Sequence, residues 1–203
     1  MEMTTTAVKE LIEEGIKNSY SYQEYKEIVS NLLEEGKSTG HDQSEALTNY
    51  SKLNDRRMKR LDKTLKIEAS IEDKFSKALT DVTWLVLTEG WCGDAAHSIP
   101  VMNKLAEMNQ GIDFRIISRD DNDVLMNNFL TNGGKSIPKL IAYDRKKQEV
   151  INSWGPRPSI ATQMVLDYKE KHGKLDPEFK ENLQVWYNKN KGENIAQDLL
   201  KLL

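Results

Sequence analysis

"TWLVLTEGWCGDAAHSIP", residues 83 to 100, decides how this chain is read. Its first half is a run of β-branched, aromatic and aliphatic residues closed by Gly90, which marks a buried strand. Its second half opens a helix, so Cys92 falls at a strand-to-helix junction. A sulfur placed there meets the positive end of the helix dipole and the unpaired amides of the first turn, and both favour the thiolate. Such positions lower a cysteine pKa by one to several units from its free value of about 8.5. Asp94 opposes this, because a carboxylate two residues away competes for the same amides and repels a second anion. Cys92 is the chain's only cysteine. It has no internal disulfide partner, which points away from a stapled, secreted domain.

The alternation continues on both sides of this stretch. "SIEDKFSKAL" predicts a short helix capped by Ser70, and "IDFRIISRD" predicts a second strand. "NDVLMNNFLTNGG" reads as a helix stopped by a glycine pair. "KLIAYD" and "EVINSWG" are strands joined by the charged turn "RKKQ", an antiparallel hairpin, and "SIATQMVLDYKEKHG" is a helix capped by Ser159 and stopped by Gly173. Parallel strands linked through helices and ending in a hairpin and a helix give a three-layer α/β domain. Two helical pieces come after it, "DPEFKENLQVWYNKN" and "ENIAQDLLKLL".

The first part of the chain differs in kind, since all five prolines lie at or beyond Pro100. Val8, Leu11, Ile12 and Ile16 repeat at helical spacing, with Gly15 near the predicted end. "SYQE", from Ser21, has the capping-box spacing and precedes a stripe of Tyr22, Tyr25, Ile28, Val29, Leu32 and Leu33. A third helix is expected from about Asp42 to about Thr64, with Leu47, Tyr50, Leu53, Met58 and Leu61 inward. Its basic run "NDRRMKRLDKTLK" reads as a solvated face, because the aromatic residues that would stack on nucleic acid are missing.

With 38% hydrophobic and 30% charged residues and a formal charge of −3 over 203 residues, the composition suits a globular protein. It offers no general attraction for nucleic acid or an anionic membrane. The start has no basic segment followed by an apolar run, and no stretch nears the ~18 apolar residues of a membrane span. A cytoplasmic location is expected. His97 lies about 140° around a helix from Cys92, so a Cys–His pair is disfavoured. Asp120, Asp121 and Asp123 lack the glycine and distal glutamate of a calcium loop and read as a helix N-terminus. Neither metal nor cofactor is expected. Trp154, Trp186 and Tyr187 read as core or contact residues, and Glu89 as solvent-facing.

The run "WCGDA", followed by helix and by Pro100, resembles the thioredoxin family's Trp-Cys-Gly-Pro-Cys site. "SIPKLIAYD" resembles the family's cis-proline segment, and Gly155 in "SWGPRP" falls where a family glycine lies beside that loop. The resemblance spans about residues 70 to 172, and the whole chain is similar to a bacterial thioredoxin-like group with "WCGD" at this loop and a helical N-terminal extension. It implies a mixed sheet in a thioredoxin-like α/β/α sandwich over residues 66–173, a helical extension over 1–65, and C-terminal helices over 174–203. It also implies that Cys92 is the nucleophile, that Trp91, Gly93 and Asp94 flank it, and that Ile137, Pro138 and Gly155 form a substrate-binding loop.

Three departures shape the functional expectation. Ala95 replaces the resolving cysteine, Asp94 replaces the motif proline, and Val86 stands where the family often has a buried aspartate. Without a second thiol, ordinary turnover within one chain is closed. One expectation is therefore a single-cysteine thiol–disulfide oxidoreductase acting on a protein or low-molecular-weight disulfide, with an external thiol resolving the adduct. The other is a non-catalytic binding or adaptor protein that uses the cis-proline groove and the N-terminal helices. An iron–sulfur site shared across a dimer, as in single-cysteine glutaredoxins, is disfavoured by the missing glutathione-binding sequence. Oligomeric state has no signature in the sequence.

Overall fold

The computed structural model describes residues 5–203. Four strands form one mixed sheet: β1 (Val82–Thr88), β2 (Ile112–Ser118), β3 (Lys139–Asp144) and β4 (Glu149–Trp154), in the order β2-β1-β3-β4. β1 runs parallel to β2, with Val82 opposite Ile112, and antiparallel to β3, with Leu85 opposite Ile141. The β3–β4 hairpin carries a register shift at Ala142/Tyr143. All seven residues of β1 are buried, Thr83 and Thr88 among them, as befits a central strand covered on both faces.

Nine helices surround the sheet among the described residues. Before it come α1 (Thr5–Lys17), α2 (Tyr22–Glu34), α3 (Glu45–Thr64) and α4 (Ala69–Lys77); α5 (Gly93–Ala106) links β1 to β2, and the short α6 (Asp123–Met126) comes after β2. After the hairpin come α7 (Ser159–His172), α8 (Pro177–Asn190) and α9 (Glu193–Leu199), the last tightening into a 3₁₀ turn at Leu200–Leu202. Side chains alternate across the sheet. Leu85 and Ile117 face α1 at Gly15, while Trp84 turns the other way to meet Phe75 of α4 edge-on, with ring centroids 6.1 Å apart.

Sequence signals act where expected in several places. Ser21 accepts from Glu24 N while the Glu24 carboxylate accepts from Ser21 N, so the capping box is complete. The free edge of β2 is blunted by Tyr20, which exchanges two backbone hydrogen bonds with Ile116.

Gly15 is near the end of α1 as expected, two residues before Lys17, but its small size also lets the helix approach Leu85 and Ile117. Other readings are corrected. α4 starts after Glu68, and Ser70 sits within it and bonds to Glu68. The helix expected to be interrupted at Pro100 runs unbroken through it as α5, since the proline removes only one donor. The helix expected over 122–134 shrinks to four residues. At α7 the cap comes from elsewhere in the chain: Asp198 and Asn194 of α9 accept from the N–H groups of Ser159 and Ile160. In α3, Tyr50 and Leu53 are exposed, whereas Thr48, Ser51, Asn54, Asp55, Met58 and Leu61 face inward. The upper half of that helix buries a polar face.

Candidate functional site

Cys92 is the N-cap of α5. Its Sγ accepts from Ala95 N at 3.5 Å, the contact a serine oxygen makes at other helix starts. The thiol in turn donates to Ile137 O at 3.2 Å. The Ile137–Pro138 peptide is cis, as is Gly155–Pro156. Gly155 has φ +114°, and a Cβ there would stand 2.0 Å from Pro138 O, so no larger residue fits against this loop. Loop 137–138, Gly155 and the first turn of α5 thus meet around one sulfur.

Cys92 is buried, with 8% of the residue's surface exposed. Burial, with Asp94's charge adding to it, pushes its pKa up to about 12, against the pull of the Ala95 and Asp94 amides and of Arg157. The helix terminus loses to desolvation here. The resting group is a protonated thiol, consistent with its donating to Ile137 O.

Asp94 is held from two distant parts of the chain. Arg157 Nη2 lies 2.7 Å from Oδ2, and the Tyr187 hydroxyl donates to Oδ1 at 2.9 Å. Burial raises the Asp94 pKa despite both partners, and burial together with Asp94 raises that of Tyr187 well above the tyrosine range. His97 stacks on Tyr187 with centroids 4.5 Å apart, and its Nε2 meets Gln184 Oε1 at 3.1 Å. Burial, with Arg57 adding to it, brings its pKa down to about 4, so the ring is neutral. His97 and Cys92 share no hydrogen bond among those described.

On the strand side of the loop, Asn54 of α3 donates to Gly90 O, and Thr39 accepts from Gly90 N. Glu89 is 1% exposed, which corrects its reading as solvent-facing. Its Oε1 accepts from the Ser118 hydroxyl and Asp120 N, while Oε2 has no hydrogen-bond partner among the described residues. Burial raises its pKa, and interactions with Thr39, Asp120 N and Ser118 pull it back. Trp91 lies under the Arg119 guanidinium at 4.9 Å. Asp120, expected in a helix N-terminus, instead pairs with Arg119 and accepts from His41 N.

Tyr187, Arg157, Arg57 and Gln184 are the site residues that sequence reasoning missed. Arg157, two residues past Gly155 between two prolines, carried the one available signal. The described residues hold no group of three or more His, Cys, Asp or Glu arranged for a metal ion, and no helix long and apolar enough to cross a membrane.

Two solved structures share the fold. One is an HIV epitope-scaffold (16% identity, 85% of this chain and 95% of that chain, TM-score 0.56), and the other is a protein of unknown function from Pseudomonas aeruginosa (16%, 85% and 95%, 0.54). No curated protein matches the chain. Residues 40–172, which run from the loop before α3 to the end of α7 and include Cys92, Pro138 and Gly155, match the thioredoxin family, and the chain belongs to that family.

Proposed function

We propose that this protein exchanges disulfides through Cys92 alone, from a resting state in which the thiol is covered and protonated. The observation that carries the reading is the placement of Sγ: it caps α5 and touches the carbonyl before cis-Pro138 in a chain of the thioredoxin family. To react, the thiol leaves Ile137 O and gives its proton to water. The thiolate attacks one sulfur of RS–SR′; a Cys92–SR bond forms, the RS–SR′ bond breaks, and R′S⁻ leaves and takes up a proton. Because Ala95 offers no second thiol, an external thiolate R″S⁻ attacks the substrate sulfur, giving RS–SR″ and restoring the Cys92 thiolate.

The test is intact-mass detection of the adduct between native protein and the neutral 2-hydroxyethyl disulfide, with Cys92→Ser as blank. The expected result is one adduct per chain, released by added thiol, with a rate that climbs with pH and does not level off below about pH 9, the region of an unperturbed cysteine. An adduct that forms only on unfolding sinks the reading. That outcome favours the second one, a binding protein whose groove holds a partner while the thiol stays silent. The observation behind it is the burial of Cys92 and its raised pKa.

A further inference from the structure

On the helix side of Cys92 the surroundings are rich in donors, while the unpartnered acceptor Glu89 Oε2 lies on the strand side. Arg57, on the inner side of α3, donates from Nη1 to Asn54 Oδ1, and this nitrogen lies 3.7 Å from the position that a Cβ on Gly93 would take. No carboxylate pairs with it among the described residues. Arg60, one turn further on, bonds through Nη2 to Asn188 Oδ1 and likewise has no carboxylate partner among them. The two guanidinium groups act on each other and on His97, and burial and Arg60 together lower the Arg57 pKa. Across Gly93, the Gln184 amide stands 3.5 Å from the same Cβ position. Two more buried donors, Arg157 Nε and Trp91 Nε1, have no partner among the described residues. Asp94 offers nothing to a newcomer, since its two oxygens hold Arg157 and Tyr187.

A partly buried arginine without a counter-charge carries a desolvation cost that an incoming carboxylate relieves, and a planar guanidinium takes a carboxylate through two parallel hydrogen bonds. Because Cys92 is buried, a thin chain reaches it more readily than a folded protein surface does. We propose that the disulfide exchanged at Cys92 is a small anionic one, whose carboxylate, a few bonds from the reacting sulfur, is received by Arg57 with Arg60 behind it. This rests on the exchange reading above and specifies its substrate class.

Three disulfides of similar chain length test it: 3,3′-dithiodipropionate carries carboxylates, 2-hydroxyethyl disulfide hydroxyls and cystamine ammonium groups. The dianion is expected to modify Cys92 about tenfold faster than the diol, the size of one good charge-assisted contact, with cystamine slowest. The gap closes in Arg57→Gln, shrinks in Arg60→Gln, and narrows at high salt. Arg60 is exposed, so the second variant serves if the first does not fold. Equal rates for the three overturn the proposal. If none of them reacts with the folded protein, the exchange reading fails and the anion site is judged by binding alone. Tryptophan fluorescence of Cys92→Ser is then titrated with 3,3′-dithiodipropionate. Saturation that Arg57→Gln abolishes upholds the site, and no saturation by about 10 mM, binding weaker than about −2.7 kcal/mol, overturns it.

Discussion

Cys92 lies between two buried carboxyl groups that the fold treats in opposite ways. On the helix side, Asp94 is paired with a full positive charge and a phenol, brought from 63 and 93 residues further along the chain. On the strand side, Glu89 is held by a serine hydroxyl and a backbone amide, all neutral, and leaves one oxygen without a partner among the described residues. Burial raises the pKa of both. The charge on Asp94 ties the loop that carries Arg157, between β4 and α7, and α8 to the first turn of α5, whereas Glu89 needs only its acceptor oxygen to hold Ser118 and Asp120. Neutralising the first strands an arginine, and neutralising the second strands nothing.

Amide replacement at both positions puts this contrast to the test, and the largest effect belongs to Asp94→Asn. It leaves Arg157 without its counter-charge and is expected to cost about 3 kcal/mol in urea unfolding, at the low end for a broken buried pair because Arg157 keeps some solvent. The same change removes the charge that helps hold the Cys92 pKa up, so alkylation of Cys92 at a fixed pH speeds up. A loss under 1 kcal/mol would mean that the pair positions the loop without stabilising it.

His97 sharpens the helix side. Its folded pKa is depressed to about 4 from 6.5, so its contribution is full above pH 6.5 and is lost as pH falls through 4. Wild type should therefore lose up to about 3 kcal/mol more than His97→Gln between these limits, measured as unfolding free energy at each pH. Parallel pH profiles would remove His97 as the acid-sensitive group.

Glu89→Gln is the smallest effect. The amide oxygen still accepts from Ser118 and Asp120, and the change is expected to stay within about 1 kcal/mol at neutral pH. Because the folded pKa of Glu89 is raised above 4.5, its contribution is full below 4.5 and is lost as pH rises through the folded value. The variant should lack that decline. A cost matching that of Asp94→Asn would erase the contrast between the two sides.

Much of the scaffold was legible in the sequence, for local reasons. The apolar run Trp84–Leu87 between threonines read as a buried strand and "SYQE" as the cap of the helix that begins at Tyr22, while the resemblance of "WCGDA" and "SIPKLIAYD" to the family put the thiol beside the proline loop. The misreadings share a different cause. Apolar spacing turned α3 toward Tyr50 and Leu53, but that part of the helix covers the Cys92 loop, whose backbone needs polar partners. Asn54 and Ser51 therefore face inward and the apolar pair faces out. Glu89 looked solvent-facing because charge usually is, yet two donors await it at the end of β2. Tyr187, read as a core or contact residue, is indeed buried, but its hydroxyl also meets Asp94, which apolar patterning does not show.

The sequence by itself determined the strands' raw material, the start of α2, the single thiol and the absence of a resolving partner, because these come from periodicity, a local cap and composition over a few residues. Tertiary structure alone decided the state of that thiol. A helix start argued for a thiolate, but α3, α8 and the proline loop close over Cys92, and the loss of water outweighs the dipole and two backbone amides. Desolvation is the sum of everything packed around a group, so no local stretch of sequence contains it.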